Sequence, residues 1–151
     1  SFIFNTTIVM GQSMEPTLHE RDRLICLVFP KYLGDFSRDD IVVIHAPDGS
    51  GQDYIKRVIG VPGDIVSIDQ GKVYVNGIVK EETYIHQNVE TEVYELSNSH
   101  WELGEGEYFL LGDNRNHDKS LDSRVFGPVK KDQIKSKASL RFWPLSDTKV
   151  F

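Results

Sequence analysis

Residues 65–77, Ile65-Val66-Ser67-Ile68-Asp69-Gln70-Gly71-Lys72-Val73-Tyr74-Val75-Asn76-Gly77, decide the fold class. Ile65, Val66, Ile68, Val73, Tyr74 and Val75 are β-branched or aromatic, the side chains that fit a pleated, half-buried surface. Each apolar run is strand-length and too short for a helix. Gln70-Gly71 separates the two runs. Asn76-Gly77 follows the second, and this dipeptide most readily takes the two positive φ angles of a tight hairpin turn. The stretch therefore predicts consecutive antiparallel strands.

The same pattern extends in both directions. Upstream, Val61-Pro62-Gly63-Asp64 is a turn, with Pro presetting φ and Gly supplying the left-handed position. Before it, residues 53–59 form a strand whose alternation puts Tyr54, Lys56 and Val58 on one face and Ile55, Arg57 and Ile59 on the other. A cation thus enters an apolar neighbourhood unless the strand is an edge and Lys56 snorkels to solvent. Ile41-Val42-Val43-Ile44 is β-branched throughout, and with the loop Ala46-Pro47-Asp48-Gly49-Ser50-Gly51 it completes a hairpin. Arg23-Leu24-Ile25-Cys26-Leu27-Val28-Phe29 is a continuous apolar run, as expected of a strand buried on both faces.

Downstream, residues 80–107 are polar and rich in glutamate, which predicts a loop-rich insertion carrying short strands. Tyr108-Phe109-Leu110-Leu111 starts a new strand that runs into Gly112-Asp113-Asn114. A last strand, 134–143, stops at Pro144. Lys130-Lys131-Asp132-Gln133 alone suggests a helical turn. The expected fold is mainly β, with folded antiparallel sheets in a barrel-like catalytic core of residues 1–64 and 106–151. A smaller insertion or cap of residues 65–105 interrupts it.

Composition narrows the function. The 151 residues carry 17 Lys+Arg against 23 Asp+Glu, a net charge of −6. No basic excess exists to displace counterions from phosphates, so nucleic acid is not an expected partner. The single cysteine, Cys26, excludes an intrachain disulfide. His19, His45, His86, His100 and His117 lie at no zinc-like spacing, so no metal is expected. No stretch approaches the roughly 20 apolar residues of a membrane-spanning helix. The sequence opens on Ser1 with Phe2-Ile3-Phe4 and Ile8-Val9-Met10, as a chain does when an upstream anchoring segment has been cut away or a tag trimmed.

Three segments combine backbone-bending residues with reactive side chains. They are Gly11-Gln12-Ser13-Met14-Glu15-Pro16-Thr17-Leu18, the strand around Lys56, and Gly112-Asp113-Asn114-Arg115 with Ser120-Leu121-Asp122-Ser123-Arg124. Each alone has a plain structural explanation: a capping serine, a snorkelling lysine, a salt-bridged turn. Together and in this order they resemble the signature boxes of the bacterial type I signal peptidases, membrane-anchored Ser/Lys proteases. The resemblance runs from about Val9 to Pro144, and Phe142-Trp143-Pro144 is similar to Gram-positive members.

The resemblance implies a signal-peptidase-like fold and a serine endopeptidase that removes signal peptides from preproteins after small residues of the Ala-x-Ala kind, without a cofactor. It implies Ser13 as nucleophile, Lys56 as general base and Ser120 as the serine that orients the lysine. Asp113, Asp122, Arg124 and Arg57 would brace the site. Val9, Met10, Met14, Tyr54 and Ile55 would line the substrate cleft. The implied partners are the signal peptide and the lipid surface, on the extracytoplasmic side of the cell membrane. Elementary chemistry is compatible with this. A lysine of ordinary pKa, about 10.4, is neutral in only about one molecule in 2,500 at pH 7, whereas full burial can lower a lysine by up to roughly 3–5 units.

Two features depart from the family pattern. Gly11 stands where some Gram-negative members carry a serine that assists the oxyanion. Four residues, Asn116-His117-Asp118-Lys119, separate Arg115 from Ser120 where two are usual, which leaves Ser123 as an alternative to Ser120. Two rival functions are a self-cleaving repressor-type Ser/Lys peptidase, which lacks the Gly-Asp-Asn-Arg box, and a catalytically inactive binding or assembly factor, which would have lost the serine or the lysine.

Overall fold

The computed structural model of the chain describes residues 3–28, 34–95 and 98–151. Phe2 of the opening apolar run and Phe29 of the 23–29 run lie outside the described residues. Twelve strands follow in order: β1 (Ile3–Ile8), β2 (Arg23–Val28), β3 (Ile41–His45), β4 (Asp53–Gly60), β5 (Ile65–Asp69), β6 (Lys72–Val75), β7 (Ile78–Val79), β8 (His100–Glu102), β9 (Glu107–Leu111), β10 (Val129–Lys130), β11 (Ile134–Trp143) and β12 (Lys149–Val150). They build two antiparallel sheets. The larger has the order β1-β2-β11-β3-β4-β9-β10, with β12 also on β11; the smaller has the order β7-β6-β5-β8. The fold is mostly β with antiparallel sheets, as expected, and neither sheet closes into a barrel.

Turn chemistry accounts for the hairpins. Gln70 and Gly71 have φ of 48° and 76°, and Asn76 and Gly77 have 54° and 79°, so β5, β6 and β7 are joined by the tight turns the dipeptides favour. Between β4 and β5, Gly63 sits at φ 90° and Asp64 N–H donates to Val61 O across 3.0 Å. The two sheets meet here, where Gly63 N–H donates to Leu103 O and Leu103 N–H to Asp64 O.

The core has three contiguous parts. Val9, Met14, Leu18, Leu24, Cys26 and Ile55 pack together near the chain start. Val42, Ile44, Val58, Tyr108 and Leu110 form the middle. Ile59, Val66, Ile68, Val73, Phe109 and Leu111 join the large sheet to the small one.

Two local expectations need correcting. β2 is not buried on both faces: Leu24 and Cys26 are buried, while Ile25 and Leu27 on the opposite face are half-buried. The helical turn at Lys131–Gln133 is present as one 3-10 turn, but a four-residue helix, α1 (Ser123–Phe126), also follows Asp122, whose carboxylate accepts the Arg124 N–H as its N-cap. Four residues are too few to show a helical period.

Candidate active site

Lys56 lies on β4, which pairs with β3 over residues 53–57, while β9 takes up the other side of β4 from Arg57 onward. The strand is an edge at Lys56, but the snorkelling reading fails, because the side chain is only 2% exposed. Arg57, the next residue on the opposite face, is also buried. Each cation must find partners, and they find different ones.

The Lys56 Nζ donates to Ser120 Oγ at 3.2 Å. Ser120 Oγ in turn donates to Asp122 Oδ2 at 2.8 Å. Asp122 also accepts the Gly112 N–H at 3.1 Å and a two-pronged pair from Arg124, Nε and Nη2, both at 2.9 Å. Ser123, the alternative to Ser120, is turned elsewhere: its Oγ accepts the Leu110 N–H at 2.9 Å. A hydroxyl has one proton. With that proton directed at Asp122, Ser120 offers Lys56 a lone pair, so the amine must present an N–H to it.

Electrostatics follow from this burial. Loss of hydration lowers the Lys56 pKa to about 8, with the Asp122 and Asp113 charges opposing the shift and Arg124 assisting it. Burial would raise the Asp122 carboxyl, but the Arg124 hydrogen bonds and charge, the Lys56 charge and the Gly112 N–H together hold it below the ordinary carboxylate range. The carboxylate stays ionised beside a lysine that readily loses its proton.

Arg57 meets Asp113 with two prongs, Nε to Oδ1 at 2.8 Å and Nη2 to Oδ2 at 2.7 Å, and its guanidinium lies 3.9 Å from the Tyr84 ring centroid. Thr17 Oγ1 adds a bond to Asp113 Oδ2 at 2.6 Å. Asp113 thus ties β4 to the loop that carries Ser13. Nothing local in the sequence signals the Thr17 contact, since its partner lies 96 positions away.

That loop is fixed from both sides. Met14 and Leu18 are buried in the core, and the N–H groups of Thr17 and Leu18 both reach Met14 O at 2.9 Å. Anchoring Met14 leaves its neighbour Ser13 half-buried at the surface. Asn114 stitches the loop to the strand end opposite: its N–H donates to Ser13 O at 2.9 Å and its Nδ2 to Gln12 O at 3.0 Å. Gly112 is packed into this junction. A Cβ there would sit 2.1 Å from Ser120 Oγ and 2.6 Å from Ser13 O, so no other residue fits.

Ser13 and Lys56 line one cleft of about 440 Å³, together with Thr7, Ile8, Met10, Gln52, Asp53, Tyr54 and Ile55. Among the described residues no hydrogen bond joins Ser13 Oγ to Lys56 Nζ; the amine proton goes to Ser120. Of the anticipated cleft residues, Met10, Tyr54 and Ile55 are on its wall. Val9 and Met14 are buried in the core behind it and are not among the lining residues. A larger concavity of about 660 Å³ lies between the β5–β6 turn and residues 82–90. It contains no serine or buried lysine.

Sequence reading also passed over Glu82 and Arg115. Arg115 is fully buried and pairs through both terminal nitrogens with the Glu82 carboxylate.

Comparison with known proteins agrees in family. The family described as signal peptidase, peptidase S26, matches residues 1–143. The chain is 37% identical over 161 residues to signal peptidase IB of Staphylococcus aureus, spanning 98% of this chain and 82% of that protein. It is 36% identical over 153 residues to signal peptidase I of Bacillus amyloliquefaciens, spanning 97% and 80%. The crystal structure of a signal peptidase I from Enterococcus faecalis superposes with a TM-score of 0.56 at 32% identity, covering 70% of this chain and 97% of that one.

Proposed function

Because this chain belongs to the signal peptidase family, peptidase S26, we propose that it is a serine endopeptidase that removes signal peptides from exported preproteins, with Ser13 as nucleophile and Lys56 as general base. The observation that carries this reading is a lysine amine excluded from water and held by Ser120 on the wall of the cleft it shares with Ser13.

In the chemistry so assigned, the neutral Lys56 amine gives one N–H to Ser120 and keeps its lone pair for the Ser13 proton. Ser13 Oγ attacks the scissile carbonyl as the proton moves to Lys56. The Ser13–Lys56 contact closes as substrate enters, since catalytic hydrogen bonds commonly tighten only in the Michaelis complex. The Ser13 N–H, which donates to no protein group among the described residues, faces the developing oxyanion. Lys56 then protonates the leaving amine, and water, deprotonated by the same lysine, hydrolyses the acyl-enzyme. No cofactor or metal takes part.

The substrate lies extended. Among the described residues β1 pairs only with β2, and residues 53–56 of β4 pair with β3 while β9 begins its pairing at Arg57. Two strand segments therefore turn free backbone edges toward the cleft, which suits a peptide bound as an added strand. Small side chains before the cut fit between Ile8, Tyr54 and Ile55.

The reading divides the chain into a catalytic core, residues 1–64 and 106–151, and a smaller insertion, 65–105, that carries its own sheet. It sets the enzyme against lipid on the extracytoplasmic side of the cell membrane. Ile8, Arg23 and Trp143 are neighbours across three strands, Met10 is 75% and Trp143 47% exposed, and an indole suits the membrane–water interface. No helix among the described residues is long and apolar enough to cross a membrane.

The test is incubation with a preprotein in detergent or lipid. The unaltered chain should release the mature product, and Ser13→Ala and Lys56→Ala should not, while both remain folded with a cooperative thermal melt. Cleavage by Lys56→Ala at the normal rate would overturn the dyad.

A further inference from the structure

Gly112 poses a mechanical problem. It must be glycine, since a Cβ would strike Ser120 Oγ and Ser13 O, yet glycine is the residue whose backbone torsions are least fixed by its own atoms. Its N–H is nevertheless one of the bonds that hold Asp122, and Asp122 holds Ser120 on Lys56. The following residues Asp113 and Asn114 hold Arg57, Thr17, Gln12 and Ser13. The most pliable residue of the site is thus the one from which both halves hang, and its conformation has to be imposed from outside.

Arg115 imposes it. Its Nε donates to Gly112 O at 2.7 Å, closing a short loop over residues 112–115. The guanidinium is carried by the insertion: Nη1 donates to Glu82 Oε1 at 2.9 Å and to Thr91 Oγ1 at 2.8 Å, and Nη2 donates to Glu82 Oε2. Glu82 is steadied by the Tyr84 hydroxyl at 2.8 Å, and Tyr84 lies against Arg57. Thr91 N–H donates to Gly71 O at 2.9 Å, fastening this segment to the small sheet. An ion pair this deeply buried is a poor source of net stability, because desolvation offsets the attraction. What it supplies is a fixed geometry.

We propose that Glu82 and Arg115 are positioning residues for the reaction: the insertion, acting through Arg115, locks the Gly112 backbone so that Asp122 and Ser120 aim the Lys56 amine while Asn114 holds Ser13 opposite. The inference rests on the Ser13–Lys56 reading given above. It makes the segment 82–91 part of the machinery of catalysis, although nothing in it touches the reacting atoms.

The experiment compares Glu82→Gln, Arg115→Lys and Thr91→Val with the unaltered enzyme in preprotein cleavage, with kcat, KM and the pH profile measured below each variant's melting temperature. Thr91→Val removes one acceptor at constant volume and keeps the test open where the ion-pair variants lose their fold. Positioning predicts that kcat falls at least tenfold in Glu82→Gln and Arg115→Lys and about threefold in Thr91→Val, with KM within twofold. It also predicts that the rising limb of kcat with pH moves upward, as a loosened Lys56 regains water. Unchanged kcat and pH midpoint in folded protein, or losses that match the unfolded fraction, would overturn it. Lys56→Ala run alongside separates the two readings: if it cleaves, the dyad is wrong whatever the other variants do. If it is inactive while Glu82→Gln is normal, only the positioning role fails.

Discussion

Raising the pH from 6 to 9 should increase kcat in proportion to the neutral fraction of Lys56. With the amine at about 8, that fraction is about 1% at pH 6, about 10% at pH 7, half at pH 8 and about 90% at pH 9. The expected profile climbs nearly tenfold per unit below pH 7.5 and flattens near pH 9. The sign is that of a buried base: desolvation disfavours the protonated form, so activity is lost as pH falls through the folded-state value. The same shift has a cost in stability. The unfolded chain binds more protons than the folded one between about 8 and 10.4, so the lysine's penalty is fully present below pH 8 and fades above it. At pH 7 it amounts to about 3 kcal/mol, and Lys56→Met should accordingly raise the melting temperature by several degrees while abolishing cleavage, the usual exchange at an active site. The assay is single-turnover cleavage of a preprotein across the pH range, with a thermal melt of both proteins at pH 7. A flat profile from pH 6 to 9, a midpoint above 10, or a Met variant less stable than the parent would refute the argument that burial sets the base.

Two further outcomes follow from the geometry. Gly112→Ala drives a methyl group into Ser120 Oγ and Ser13 O; cleavage should fall at least about 100-fold, and normal kinetics would show that the junction tolerates bulk. Ser120→Ala deletes the acceptor that orients the amine; kcat should drop about 100-fold with little change in KM, and an unchanged kcat in folded protein would remove Ser120 from the machinery.

The strands were legible because their signals are local. Gln70-Gly71 and Asn76-Gly77 specify their turns through backbone preference alone, and Pro144 ends β11 where the sequence says it must. The burial of β4 was half legible. Alternation put Lys56 and Arg57 on opposite faces, but whether either face was wet depended on what packs there, Ser120 on Lys56 and Asp113 with Tyr84 on Arg57, all distant in sequence. The braces of the site were least legible: Thr17 with Asp113, and Glu82 with Arg115, join residues distant in sequence, and no period or turn preference marks a glutamate in a polar loop as the partner of a buried arginine. α1 escaped because its one turn is stabilised by Asp122, a residue that looks like part of a charged loop.

β4 presents two neighbouring cations with opposite fates. A guanidinium does not give up its proton in a protein, whereas the amine beside it is made ready to. Because side chains alternate strictly along a strand, a slip of β4 by one position against β3 would swap the two and deliver a permanent charge to the place of the proposed base. The connection 46–52 can therefore vary in length and composition only so long as it returns Ile55 to Val43. Changes that shorten or lengthen this turn are harmless while that pairing is kept and silencing once the strand that follows slips against its neighbour.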